Sequence, residues 1–519
     1  MTAPGPSGTR PERFETRPPG RVARESAPVV PTGRALLRSP ALRRGVVAVV
    51  ALAALVGGLG LAADRVPGPG GPGLSDDGRV TVVVFTVAVS AWVFTRVDDT
   101  YVALGAAVAL VLTGVLGTDG LFEALGDDTI WLLLSAFVIA AGVTSSGLAT
   151  RATAYVVSAA RTPRSLAHLL TGALVVTTFA IPSTSGRAAL ALPIFLCLAR
   201  VFADRPALVR TLALLFPTVI LLSAVGSLLG AGAHLVTSEV LVAATGEGVG
   251  FVRWLLLGLP LAVVSAHVAA EVVLLLFSSR AERRRPLRVG PADFAAESPT
   301  PVTGPLSVAE SRAALLLGAV VVLWCSEPLH GIDPAIVALV GALVATSPRY
   351  GSVSLPAALR SAPWSLLLFL AATLALGTAL TSSGAAAWFA GGLFGGFSGD
   401  GAAVAFLAVV VVASTAMHLL VQSRSARSSV LVPIVVALSP AVGVDPVAAA
   451  MASTAAAGFC HTLPSSAKPV ALFANVTGTD TYTPRDLLRL STVLAPVSAA
   501  LVLAFSLLVW PMLGLPYLR

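Results

Sequence analysis

A chain of 519 residues that is 56% hydrophobic and 12% charged, with a mean hydropathy of +0.88, cannot fold as an ordinary soluble globule and reads as a polytopic membrane protein. Its net charge of +8 calls for no nucleic-acid partner. The arginines gather in the N-terminal tail and in short loops between apolar segments, where the cytoplasmic excess of basic residues accounts for them. Cys197, Cys325 and Cys460 lie far apart in apolar or small-residue segments without metal-ligand spacing, and are expected to be buried free thiols.

Residues 1–44, rich in Pro, Gly and Arg, read as a disordered basic cytoplasmic tail. The apolar run 45–63 follows Arg43-Arg44 as a signal peptide would, but the many later apolar segments make it a first membrane helix, which with its Gly/Pro loop takes up 45–78. A first repeat over 79–277 opens with spans near 80–95, 100–117 and 130–146. The loop carrying Asp119, Glu123, Asp127 and Asp128 is acidic and belongs outside; the loop carrying Arg151, Arg161 and Arg164 is basic and belongs inside.

Two apolar arms, 165–181 and 188–199, are then joined by Ser183-Thr184-Ser185-Gly186-Arg187. Arg161 and Arg164 precede them, and Arg200, Arg205 and Arg210 follow. Basic flanks at both ends put both ends on one side, and the second arm is short for a hydrocarbon core of roughly 30 Å. Residues 165–201 are therefore expected to form a re-entrant hairpin from the cytoplasmic side, with the polar cluster at its tip; two full short spans are the alternative. A span from about 211, a Gly-rich break at 226–234 and a span over 254–277 complete the half. Glycine lets the backbone unwind and offer its polar groups to a ligand, although close helix packing uses the same residues. A basic, Pro-containing cytoplasmic loop occupies 278–310.

The second repeat, 311–519, follows the same plan, with spans near 311–326, 333–347 and 364–383. Its hairpin, 402–440, has arms at about 402–421 and 428–440, is flanked by Asp400 and Asp445, and is expected to enter from outside. A helix from about 446 breaks at 460–469, and a last span near 490–510 leaves the C-terminus outside. The tip Ser423-Arg424-Ser425-Ala426-Arg427 repeats the first. Both run Ser-x-Ser-small-Arg-small-small, three apolar residues, then Pro-Ile, and Thr144-Ser145-Ser146-Gly147 is echoed at nearly the same offset by Thr381-Ser382-Ser383-Gly384. The expected fold is an all-α polytopic membrane protein in the cytoplasmic membrane, with about eleven transmembrane helices and two re-entrant hairpins in two inverted repeats.

Polar, irregular backbone at membrane depth is tolerated only where protein buries it or where it lines a cavity. Ser183, Thr184, Ser185, Ser423, Arg424, Ser425 and Lys468 are therefore the candidate substrate-binding residues, with Arg187 and Arg427 in a charge role. An ionisable residue at that depth costs roughly 2.5–3.5 kcal/mol on insertion scales and needs a partner or a cavity. No comparably placed carboxylate is evident, Glu239 and Glu271 being assigned to the outer break and last span of the first half, so the substrate is expected to bring the negative charge. The arginine fork suits carboxylate, sulfate or phosphate oxygens, and hydroxyls and helix N-termini add donors. Two alternatives stay open: Arg187 and Arg427 snorkel to water, and Lys468 is interfacial. His418 and His461 are proton carriers or satisfied core histidines.

At these residues the chain resembles the divalent anion:sodium symporter family, the solute carrier 13-like anion permeases. That family carries Ser-Asn-Thr at each hairpin tip, then small residues and an apolar-Pro-apolar step, with a Gly-rich break like 226–234 and a Leu-Pro break like 463–469. The resemblance implies a secondary active transporter of small divalent anions, di- or tricarboxylate or sulfate/phosphate-like. It also implies a homodimer, an elevator movement and a sodium ion near Ser183, Gly226 and Ser423. Thr184 and Arg424 stand where the family has asparagine, so sodium coupling stays open beside anion exchange; no other cofactor is expected. The rival readings are a cation/proton antiporter of related fold, which would want Asp or Glu at the breaks, and a transport-dead anion sensor. No nucleophile–base pair or metal cluster suggests an enzyme.

Overall fold

Apolar runs punctuated by acidic and hydroxyl caps fold as helices, and the computed structural model describes residues 74–519 except 96, 288–289, 296–301, 387, 389–400, 475 and 477. The expected tail and first membrane helix lie outside the described residues. In chain order, α1 (Asp76–Phe94), α2 (Asp99–Leu112), α3 (Thr118–Glu123), α4 (Asp128–Ser146) and α5 (Leu148–Ser158) lead to α6 (Pro163–Ala180) and α7 (Thr184–Val201). Then come α8 (Pro206–Leu222), α9 (Gly232–Thr245) and α10 (Phe251–Phe277). The second half contains α11 (Val308–Cys325), α12 (Pro334–Ala345), α13 (Leu355–Ser361), α14 (Trp364–Ser382), α15 (Ala402–Ala416), α16 (Arg424–Leu438), α17 (Pro446–Ala456), α18 (Lys468–Ala474) and α19 (Pro484–Ala504). Among the described residues 10 helical segments are long and apolar enough to cross a membrane, and no strand forms.

Asp127 and Asp445, which marked outer segments, act as helix caps, and so do Asp98 and Asp333. Asp98, Asp127, Asp333 and Asp445 accept backbone N–H groups at the starts of α2, α4, α12 and α17. Residues 76–78, expected in a loop, form the first turn of α1, because the Ser75 side chain accepts the Gly78 N–H.

Contacts between the halves come in exchanged pairs. Helix α2 packs on α14 and, conversely, α12 packs on α4; α9 packs on α16 and α18 on α7; α8 packs on α18 and α9 on α17. Swapping the halves reproduces the pattern, as two units related by an approximate two-fold axis would. One apolar core gathers α6, α7, α8, α10 and the segment around Phe473; another sets α1 and α2 against α14 and the first turns of α16, through Val421, Ala426 and Val430. The second core brings the start of α2 to the second hairpin tip.

The segments expected on the cytoplasmic side are tied to one another. Arg151 Nε donates to Glu310 at 2.6 Å, Arg205 Nε to Glu282 at 2.7 Å, and Leu287 N to the Arg161 carbonyl at 2.8 Å. At the other end Asp445 N donates to the Tyr517 carbonyl at 2.9 Å, joining the outer flank of the second hairpin to the C-terminus. Cys197 and Cys460 are buried free thiols as expected, but Cys325 is exposed, because α11 buries only one narrow stripe around Ala313, Val320 and Trp324.

Candidate functional site

Each hairpin turns in a few extended residues and re-enters helix at once. Ser183 caps α7 by accepting the Gly186 N–H at 3.2 Å, and Ser423 caps α16 by accepting the Ala426 N–H at 3.3 Å. The polar clusters expected as tip loops are therefore the first turns of the second arms, which start at Thr184 and Arg424 rather than near 188 and 428. Serine is a strong N-cap, and small residues behind it let helix form without a loop. Pro193 and Pro433 sit inside these two helices at equivalent places.

The break after α8 unwinds as expected, through a 3-10 turn at Ser223–Gly226, extended Ser227, a second 3-10 turn at Leu228–Gly230 and extended Ala231. A Cβ on Gly230 would sit 2.0 Å from the Ala224 carbonyl oxygen, so the glycine is needed for close approach. The matching break after α17 runs to Lys468, which opens α18.

Tips and breaks meet around a cavity of about 360 Å³. It is lined by Ser183, Thr184 and Ser185 from the first tip, by Ser423, Arg424 and Ser425 from the second with Gln422 and Arg427 beside them, by Ala231 and Gly232 at the start of α9, and by Ala467 and Lys468 at the start of α18. All seven candidate substrate-binding residues are thus brought together. The N-termini of α7, α9, α16 and α18 converge on one space, each with outward N–H groups and the positive end of its dipole. Packing is tight where α9 meets the second tip: a Cβ on Gly232 would come within 3.1 Å of Ser425 Oγ.

The cations divide into two kinds. Arg187 is 0% exposed and does not line the cavity. Its Nε donates to Thr177 Oγ1 at 3.0 Å, Nη1 to the Ile220 carbonyl at 3.0 Å, and Nη2 to the Leu174 carbonyl at 2.6 Å and Ser223 Oγ at 2.7 Å. It does not snorkel, because protein oxygens answer every nitrogen. Arg424 and Arg427 do line the cavity. Arg424 Nη2 donates to the Leu221 carbonyl at 2.9 Å and the Gly458 carbonyl at 2.8 Å, so it ties the end of α8 and the segment after α17 to the second tip. Arg427 Nη1 donates to the Phe459 carbonyl at 3.3 Å.

One expectation is corrected: a carboxylate does reach the site. Asp99, the first residue of α2, lines the cavity, faces Ser423 and lies within electrostatic reach of Lys468. The Asp98-Asp99 pair held the available signal, since one aspartate is enough to cap α2 and Asp98 does so. Glu239 instead donates nothing to the cavity; it accepts from Thr129 Oγ1 at 2.6 Å beside Asp127 and Asp128. Glu271 accepts from Arg164 Nε at 2.7 Å and lies 2.6 Å from His168 Nε2.

Gly226, expected with Ser183 and Ser423 around a sodium ion, does not line the cavity. It packs against α10, where a Cβ would lie 2.9 Å from Ala262 Cβ. His418 is a satisfied core histidine, with Nδ1 2.5 Å from the Thr415 carbonyl and Nε2 2.6 Å from Thr462 Oγ1. His461 accepts the Cys460 N–H on Nδ1 at 3.3 Å, and His234 stacks on Trp254 with ring centroids 4.9 Å apart.

Comparison with known proteins finds matches over most of the chain. A membrane protein of Cupriavidus necator is 24% identical over 473 residues, covering 85% of this chain and 89% of its own. The crystal structure of the Alcanivorax borkumensis YdaH transporter, described as having an unusual topology, is 14% identical with a TM-score of 0.48, covering 86% of this chain and 100% of its own. The model of the sodium:sulfate symporter transmembrane region matches residues 52–516. With two polar-tipped hairpins and two broken helices around one cavity, and that match over nearly its whole length, the chain belongs to the sodium:sulfate symporter family of membrane transporters.

Proposed function

We propose that the protein is a secondary active transporter of small divalent anions, di- or tricarboxylates or sulfate/phosphate-like oxyanions, bound between the two hairpin tips. The observation that carries this reading is the charge of the cavity wall. Arg424, Arg427 and Lys468 stand against the single carboxylate of Asp99, which leaves two positive charges for a dianion to neutralise. The converging helix N-termini favour the same ligand.

Anion exchange fits this site better than sodium coupling. Backbone oxygens around both breaks, which would suit a sodium ion, already accept from guanidinium groups: Ile220 from Arg187, Leu221 and Gly458 from Arg424, Phe459 from Arg427. Fixed cations there take the electrostatic place of a mobile one. An empty site carrying two uncompensated charges is expensive to move across a low-dielectric layer, whereas a loaded one is neutral. Return of the carrier then requires a second anion. The reading includes a homodimer and an elevator movement of the hairpins and breaks.

Uptake of radiolabelled succinate, citrate and sulfate into proteoliposomes tests it, with sodium present or absent and unlabelled anion inside or omitted. Uptake that needs internal anion and ignores sodium is expected. Sodium-dependent net uptake would overturn the exchange mechanism, and no flux of any anion would return the antiporter or sensor to first place.

A further inference from the structure

Arg187 and Arg427 each follow a capping serine by four residues, at the same position of the repeat, and both are 0% exposed. Their surroundings differ. Protein oxygens answer all three nitrogens of Arg187. Arg427 donates only from Nη1, to Phe459, and its buried Nε and Nη2 have no hydrogen-bond partner among the described residues.

These two nitrogens are one edge of the planar guanidinium, with parallel N–H bonds spaced for two oxygens of a single oxyanion group. A fully buried cation with that edge unanswered is unfavourable unless something else supplies the oxygens. Asp99 does not, since it faces Ser423 and Lys468. The Cys460 thiol lies beside both Arg424 and Arg427, but its proton goes to the Gly458 carbonyl at 3.6 Å, and neutral sulfur is a weak acceptor. Arg427 also lines the cavity, one helical turn from Arg424.

Resting on the transport reading above, we infer that the Nε/Nη2 edge of Arg427 seats one carboxylate or sulfonate-like oxygen pair of the substrate. Arg427 is then the residue that selects a ligand presenting two oxygens on one face, while Arg187 is purely a structural tie. The two tip arginines are equivalent in sequence and unequal in use: Arg427 binds the substrate's oxyanion group, and Arg187 holds its own break in place.

The test is calorimetric binding of succinate and of sulfate to the purified full-length protein, as wild type, Arg427→Lys and Arg187→Lys. Lysine keeps the charge and removes the fork, so Arg427→Lys is expected to lose about tenfold or more in affinity. Arg187→Lys, where folded, is expected to bind within about threefold of wild type. A loss for succinate alone would assign the edge to planar carboxylates, and a loss for sulfate alone to tetrahedral oxyanions. Wild-type affinity in Arg427→Lys overturns the inference, whereas wild type that binds neither anion overturns the transport reading and this inference with it. Should Arg427→Lys fail to fold, wild-type crystals soaked in selenate decide: an anomalous peak against the Nε/Nη2 edge is expected, and no peak there overturns the assignment.

Discussion

Arg187 spends its guanidinium on Leu174 and Thr177 of α6 and on Ile220 and Ser223 at the end of α8, cross-linking three segments around the first tip. Replacing it with alanine leaves these buried acceptors unanswered, which at about 1–3 kcal/mol per stranded group predicts a loss of about 3 kcal/mol or more after partial relaxation. Thermal unfolding in detergent should register it. The tip motifs were legible in the sequence because a Ser-x-Ser-small-Arg cluster inside an apolar run is a local pattern. Asp99 was not: it reaches the cavity only because α2 packs on α14 beside the second tip, and nothing next to Asp99 in the chain reports that contact.

Helix α10 and the first break touch at backbone level. A Cβ on Gly258 would lie 2.1 Å from the Val225 carbonyl oxygen, and backbone cannot yield as a flexible side chain can. Gly258→Ala should therefore destabilise the protein by about 2 kcal/mol or more and disturb the start of the break. Gly172 in α6 has nothing within 4 Å of its Cβ position, so Gly172→Ala should be neutral or stabilising by up to about 1 kcal/mol, from helix propensity alone. Paired thermal-shift measurements check both signs. The breaks themselves were readable from clustered glycines and prolines. The helical start of each tip was missed because a serine followed by small residues reads equally as a loop or as an N-cap, and packing decides between them.

Across the molecule, loops expected on one side of the membrane are joined to loops expected on the same side: Arg151 to Glu310, Arg205 to Glu282, and the Asp445 flank to the C-terminal Tyr517. Alkaline phosphatase fused at the C-terminus should be active outside the cell, and fused within 278–310 it should be inactive; the reverse result would invert the assignment. Length, hydropathy and charge bias marked the chain from sequence alone as a polytopic helical membrane protein, and the two echoed interruptions pointed to its transporter family, because each is a property of consecutive residues. Only the tertiary structure decided that Asp99 lines the cavity and Gly226 does not, and that of two equivalent arginines one is satisfied and the other keeps a buried, unpaired edge. Those outcomes depend on carbonyls and hydroxyls brought from distant segments, which no local pattern encodes.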